Sequence, residues 1–490
     1  MGIDVGVYAG SRRYRDLERT IPRAPRRQAI RADRSGKKTL PWPVRLLLVS
    51  LVFPWVVTIG PVSLSISRVI LLVMVLPCLA KWIGGASGRI RASDIAMLLF
   101  CLWSALSLVV VHGPIFAVQP AGILFIETMG AYLVARCYIR DADDFFNMAR
   151  MLFRVVAFLF PFALLEALTG RNVLLELFAA ILPSYPDAGN DMRTGLRRAQ
   201  VVFEHAILFG ICAGSALALT HLVLGHRIPL FQRWLKTGLV GVTALLSLSS
   251  APIAAIVVQA ALMMWSALFR KSPYCWRFLW CLSLAAYLAV VFGSNQTAAQ
   301  FYISHFTFDP ATGWHRLLIW EFGSASVLNH PLFGTGFGDW ARSSWMSTSV
   351  DMFWLLNTMR YGIPGGLLLV LSFFAVFLGV SFRKGLDERL VAYRTAYLIV
   401  MMAFFLVGWT VHFWGTAYLW FIFLLGSGVW LLDVRIDDGV RYRLDLSDDR
   451  RRTARERGAL LGGPSSPASR RGSRPLRSPS DCRDGGERLP

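Results

Sequence analysis

The chain has 490 residues, 55% hydrophobic and only 17% charged, with a formal net charge of +21 and a mean hydropathy of +0.50. A soluble domain carries about a quarter charged residues, and no soluble core needs so many apolar runs of about 20 residues, each long enough to cross a hydrocarbon layer. The basic excess lies in the two ends and in every second short connection, which is the pattern of membrane orientation and not of nucleic-acid binding.

In chain order, residues 1–41 are a basic tail with little apolar content. About 40 polar residues precede the first apolar run near Trp42, far more than a signal-peptide leader, so the first helix is expected to stay as an anchor. Twelve spans follow, near 43–60, 65–83, 94–112, 119–138, 151–169, 205–224, 234–249, 251–269, 275–293, 362–382, 392–411 and 415–433. Residues 434–490 form a second basic tail rich in Ser, Pro, Gly and Arg. Both tails bury too little apolar area to offset ordering and are expected to be disordered. The reading is all-α: a polytopic integral membrane protein with its transmembrane domain over 42–433.

The break between the seventh and eighth spans is only Ser249–Pro252, so one kinked segment and eleven spans is the competing count. Charge decides. With the N-terminus inside, the even-numbered connections carry Lys81, Arg89 and Arg91; Arg136, Arg140, Arg150 and Arg154; Arg227, Arg233 and Lys236; Arg270, Lys271 and Arg277; and Arg383, Lys384, Arg389 and Arg394. The short odd-numbered connections are nearly bare. Twelve spans keep this positive-inside bias and eleven break it. Both termini are then cytoplasmic, and two long loops, about 170–204 and 294–350, face outward. None of the seven cysteines (78, 101, 137, 212, 275, 281 and 482) lies in those loops, so no disulfide framework is implied.

No phosphate-binding lysine loop, dinucleotide fingerprint or His/Cys metal cluster is present, and neither cofactor nor metal is expected. The spans hold few ionisable residues, chiefly Glu127 and Glu166 with Arg68 near a helix end, which argues against an ion-coupled carrier. Candidate chemistry therefore sits in the long loops. The first carries Arg193, Arg197 and Arg198, then Phe203-Glu204-His205. The second carries Arg316, then His330-Pro331-Leu332-Phe333-Gly334-Thr335-Gly336-Phe337-Gly338. Guanidinium groups pair bidentately with phosphate oxygens, so arginines from two loops could clamp a pyrophosphate and stabilise charge on a departing phosphate. Glycines 334, 336 and 338 would let backbone approach a ligand. Asp351 opens the next apolar stretch, where it could cap a helix or take a proton from a sugar hydroxyl. Arg360 follows in Arg360-Tyr361-Gly362.

The late loop reading Arg316-x-x-x-Trp320, then His330-Pro-Leu-Phe-Gly-x-Gly336, then Tyr361-Gly-x-x-Gly365 resembles the O-antigen ligase/polymerase family, which includes exopolysaccharide polymerases. The spacing from Arg198 to Gly214 also fits. The likeness spans most of 42–433 and is most specific over about 310–365. It implies a metal-independent glycan transferase on the outer face of a bacterial inner membrane. The donor would be a glycan on undecaprenyl pyrophosphate, and the acceptor a second lipid-linked repeat (polymerase) or lipid A core (ligase). Arg198 and Arg316 would hold the leaving pyrophosphate. Arg193, Arg197, His205, His330, Gly334, Gly336, Gly338 and Arg360 would bind substrate. Membrane lipids and chain-length-regulating or export proteins are the other partners implied. Ligases carry a catalytic His followed by Asn in the late loop; here Asp351 stands nearest that place. The departure favours a polymerase over a ligase, with a polysaccharide transporter or flippase the further alternative, and leaves the base open.

Overall fold

The computed structural model describes residues 38–434 apart from 61, 190, 191, 194, 227, 270, 271, 273, 296 and 306–309. The two tails read as disordered lie outside these residues, save Lys38–Pro41 and Val434. The fold is helical: α1 Trp42–Ser50, α2 Ile66–Ile83, α3 Ala92–His112, α4 Pro114–Tyr138, α5 Ala142–Thr169, α6 Val173–Ala179, α7 Ala206–Leu224, α8 Leu230–Leu245, α9 Ser250–Leu268, α10 Cys275–Gly293, α11 Ala298–His305, α12 Pro310–Asn329, α13 Phe353–Ser381, α14 Glu388–Val407 and α15 Gly415–Leu432. Among the described residues ten helices are long and apolar enough to cross a membrane. Helices suit that setting because they satisfy their own backbone polar groups where no water can.

Two expected spans fall short. At 1.5 Å per residue, α1 rises about 14 Å and α8 about 24 Å, against a hydrocarbon core of about 30 Å. The region expected as a first helix over 43–60 ends at Ser50, because Pro54 bars helical backbone in the residue before it. Val56–Ile59 (β1) instead pairs antiparallel with Val62–Ser65 (β2), Val56 opposite Ser65. The seventh and eighth segments are separate helices, joined by a turn at 246–249 in which Leu248 takes φ 45°. Pro252 then falls in the first turn of α9, where its missing N–H costs nothing.

Connections gather at two ends. At the basic end Lys38 meets Asp144 (2.8 Å) and Arg389 meets Asp143 (2.7 Å), while Arg91 pairs with Asp433. Asp94 is fully buried there, taking Tyr132 O–H (2.6 Å) and Trp82 N–H (3.1 Å) with the buried Arg136 3.6 Å away. At the opposite end Val56 N–H donates to Pro183 O, Ala199 N–H to Leu246 O and Phe353 N–H to Gly408 O. The connections around Arg91, Asp143 and Arg389 therefore meet one another or the two ends of the described chain, and the bare turns meet the two long loops.

Most of α7 and α15 is buried in the bundle, whereas α10 has no buried side chain. The second long loop is a small packed unit: α11, α12 and the segment after them enclose Ile303, Ile319, Trp340, Met346 and Met352 against Leu355 and Met359 of α13. α13 begins at Phe353, not at 362, and bends at Gly362 (φ 74°, ψ 176°).

Candidate functional site at the end opposite the basic loops

The first long loop is pinned by Glu166 at the end of α5. Its buried carboxylate accepts the N–H groups of Gln200 (3.1 Å) and Val201 (2.9 Å). Arg197 is engaged within the same loop, by Gly170 O and a two-oxygen contact to Asp187. Arg193 donates to Leu248 O (3.3 Å). Short strands Met192–Arg193 (β3) and Leu196–Arg197 (β4) carry both arginines. Arg198 is buried and donates to Ser249 Oγ (2.9 Å), in the same turn before α9 that Arg193 reaches.

The glycines of the second loop approach the chain's own backbone. Thr335 N–H donates to Met359 O (2.8 Å), Gly336 N–H to Arg360 O (3.0 Å) and Ile363 N–H to Pro331 O (2.7 Å). A Cβ on Gly334 would stand 2.3 Å from Met359 O, and one on Gly336 2.2 Å from His112 Nε2. Gly338 has only Thr335 O nearby, 3.1 Å from where its Cβ would stand. His330 is exposed at the start of the turn. The seam supplies donors to carbonyls released by the bend at Gly362. Arg360 lies over the Phe337 ring, 5.0 Å from its centroid. Arg316 is buried in α12, within electrostatic reach of Tyr302, whose hydroxyl donates to Leu406 O (3.1 Å).

Asp351 does not cap α13. Met352 holds the cap position, with no side-chain cap bond. The Asp351 carboxylate instead accepts Ser349 Oγ (2.9 Å) and is free of the helix end.

His205 links the two loops. It is the N-cap of α7, and its Nδ1 accepts Ile207 N–H at 3.1 Å. Burial, and then the Arg198 charge, hold its pKa below the ordinary value, while Asp351 acts in the opposite direction. Arg198 from the first long loop and Asp351 from the end of the second are thus each within electrostatic reach of His205. With Nδ1 used as an acceptor, the neutral ring carries its proton on Nε2 and is a donor there. Trp414 lies beside His205 (ring centroids 6.4 Å) and beside His412 (5.7 Å). Burial, then Arg360, push His412 down to about 3.

Behind Trp414 lies a cavity of about 310 Å³ that the sequence did not reveal. Glu204 lines it; its Oε1 accepts Thr416 N–H (2.9 Å) and Thr416 Oγ1 (3.1 Å). Its Oε2 is buried, with no well-formed hydrogen bond among the described residues. Burial raises the Glu204 pKa, and the Tyr185 hydroxyl is coupled to it. Gly415 takes φ 52°, and a Cβ there would stand 2.0 Å from Glu204 Oε1. On the far wall Arg68 Nε donates to Glu127 Oε1 at 2.6 Å. Glu127 sits in a π-helical turn, Ile126–Gly130, of α4; such turns are frequent at functional sites. Glu127 and Arg68 stood out in the sequence as charges in apolar surroundings. Nothing in the sequence marked Glu204 beyond its place beside His205, and nothing marked Tyr185.

Among the described residues no group of three or more His, Cys, Asp and Glu is placed to hold a metal. The arrangement can bind an anion at Arg198, donate from His205 Nε2 and accept a proton at a carboxylate. Compared with known proteins, the chain matches no protein-family model and no curated protein.

Proposed function

We propose that this protein joins lipid-linked oligosaccharide repeats into a polysaccharide at the outer face of a bacterial inner membrane. In this reading both termini are cytoplasmic, and the loops bearing Arg198 and Arg316 face outward. The observation that carries this reading is that Arg198 and Asp351, from the two long loops, both act on His205 at the end opposite the basic loops, where Arg198 is held by Ser249. Positive-inside bias makes that end the outer one, where a lipid pyrophosphate carrying a finished repeat is presented.

In the reaction an acceptor hydroxyl attacks the anomeric carbon of the donor glycan. The new C–O bond forms as the bond from that carbon to the phosphate oxygen breaks, and the lipid pyrophosphate leaves with both electrons. Arg198 and Arg316 bind the pyrophosphate and stabilise its growing charge. His205 Nε2–H donates to the same leaving group. Asp351, held by one serine hydroxyl and not by a helix end, takes the hydroxyl proton. His205 is not the base, because its Nδ1 lone pair is already used by Ile207 N–H.

The test is elongation by purified full-length protein supplied with lipid-linked repeats and read as a ladder of products. Arg198→Ala is expected to lower kcat about 10²- to 10³-fold, and Asp351→Asn by about 10²-fold or more. Ordinary ladders from both variants would remove the reading.

A further inference from the structure

The cavity behind Trp414 is unused by the reaction as drawn. We propose that it is a monosaccharide-binding subsite, taking one uncharged pyranose with its hydroxyls on Glu204, Tyr185 and the wall serines and its apolar face on Trp414. Its lining joins an aromatic ring to carboxylate, phenol and hydroxyl groups, with Ser63, Ser65 and Ser67 in the same wall as Glu204 and Trp414. A pyranose presents that same mixture of hydroxyl edges and a C–H face, and buried polar groups need such partners.

Size and charge narrow the choice. About 310 Å³ is at the small end of the roughly 300–1,000 Å³ of small-molecule sites, and far larger than a dehydrated cation needs. One guanidinium stands with two carboxylates, and Arg68 is already paired with Glu127 at 2.6 Å. The wall therefore repels a phosphate, which belongs at Arg198. Glu204 Oε1 is held by Thr416 and the Tyr185 hydroxyl lies against the same carboxylate, while buried Oε2 has no well-formed hydrogen bond among the described residues; that oxygen, shared with Tyr185, is the acceptor for a sugar hydroxyl. Glu204 and His205 are adjacent, and Trp414 borders both places, so a sugar held here lies next to the pyrophosphate site. The role within a transfer reaction rests on the function proposed above; the binding of a sugar does not.

Saturation-transfer NMR on the full chain in lipid nanodiscs tests this with free glucose, galactose, mannose, rhamnose and N-acetylglucosamine as probes. At least one is expected to bind, about tenfold or more weaker in Glu204→Gln because a charge-assisted hydrogen bond is lost, weaker in Trp414→Leu, and unchanged in Lys384→Ala, which alters an exposed residue at the basic end. Glu204→Gln keeps the size of the side chain, and Tyr185→Phe provides a second reading if one variant is unstable. No binding by any probe, or binding unaltered in all three cavity variants, overturns the subsite. So does sodium-dependent stabilisation that Glu204→Gln abolishes without any sugar binding, which identifies a cation site. Sugar binding that maps to the cavity while Arg198→Ala still elongates glycans would remove the transferase reading and leave the subsite standing. The converse result would remove the subsite alone.

Discussion

The His205 ring accepts the Ile207 N–H on Nδ1, and that one backbone contact sets its chemistry as a donor at Nε2. His412 offers a measurable consequence of burial. Its pKa is held down from 6.5 to about 3, so the folded protein binds fewer protons than the unfolded chain between those values. Its contribution to stability is complete above pH 6.5 and is lost as the pH falls, by up to about 1.4 kcal/mol per pH unit. Glu204, raised by burial above 4.5, acts in the opposite sense and loses stability as the pH rises. Thermal midpoints in nanodiscs at pH 7 and pH 5 isolate the histidine: His412→Gln is expected to lose less on acidification than the unaltered protein, and equal losses would contradict this. At the basic end, Arg136→Ala leaves Asp94 buried without its cation and is expected to cost about 3–5 kcal/mol, read as loss of folded protein on size-exclusion chromatography. Residue types were legible in the sequence, but partners were not. Arg193, Arg197 and Arg198 look alike in a basic loop, and only the fold separates Arg197, engaged by Gly170 and Asp187, from Arg193 and Arg198, which reach Leu248 and Ser249 in the turn before α9.

Elements were read from apolar runs, and the errors share one cause. A hydropathy window counts apolar side chains and ignores backbone limits. Val56-Val57-Thr58-Ile59 is apolar enough for a span, yet its β-branched residues favour extended backbone and Pro54 stops the helix ahead of them. Gly362 with Pro364 reads as a helix start, but α13 begins at Phe353 and bends there instead. The bend is tolerated because Thr335 and Gly336 donate to Met359 and Arg360. That seam makes the glycines testable as structural parts. Gly334 takes φ 67° and Gly362 φ 74°, and a Cβ on Gly362 would stand 2.0 Å from Leu332 O. Gly334→Ala and Gly362→Ala are each expected to cost about 1–3 kcal/mol or more, and Gly338→Ala less, as shifts of the thermal midpoint. Equal effects at all three positions would contradict the seam.

At the scale of the whole molecule, charge alternation foretold which connections meet. Among the described residues the N-terminal segment and the connections around Arg91, Asp143 and Arg389 meet one another or Asp433 at one end, and the long loops meet the bare turns at the other. The seventh-to-eighth turn was legible through charge, not hydropathy. The site was legible only as a pair of loops, because its convergence depends on the cap of α7, the turn before α9 and the start of α13 coming together in space. Single cysteines in a cysteine-free background check the orientation. Ser347→Cys is exposed on the second long loop and Lys384→Cys on a basic connection; only the first is expected to react with an impermeant maleimide in intact cells.

The central claim concerns chemistry at the outer face, and lipid extracts of cells lacking the gene test it most directly when resupplied with the unaltered protein or with Arg198→Ala. Mass spectrometry of the extracts is expected to show single repeats on the lipid carrier accumulating with Arg198→Ala, no polymer, and normal amounts of protein in the membrane. Polymer of ordinary length from Arg198→Ala, or glycan trapped inside the cell with no lipid-linked repeat outside, would contradict it.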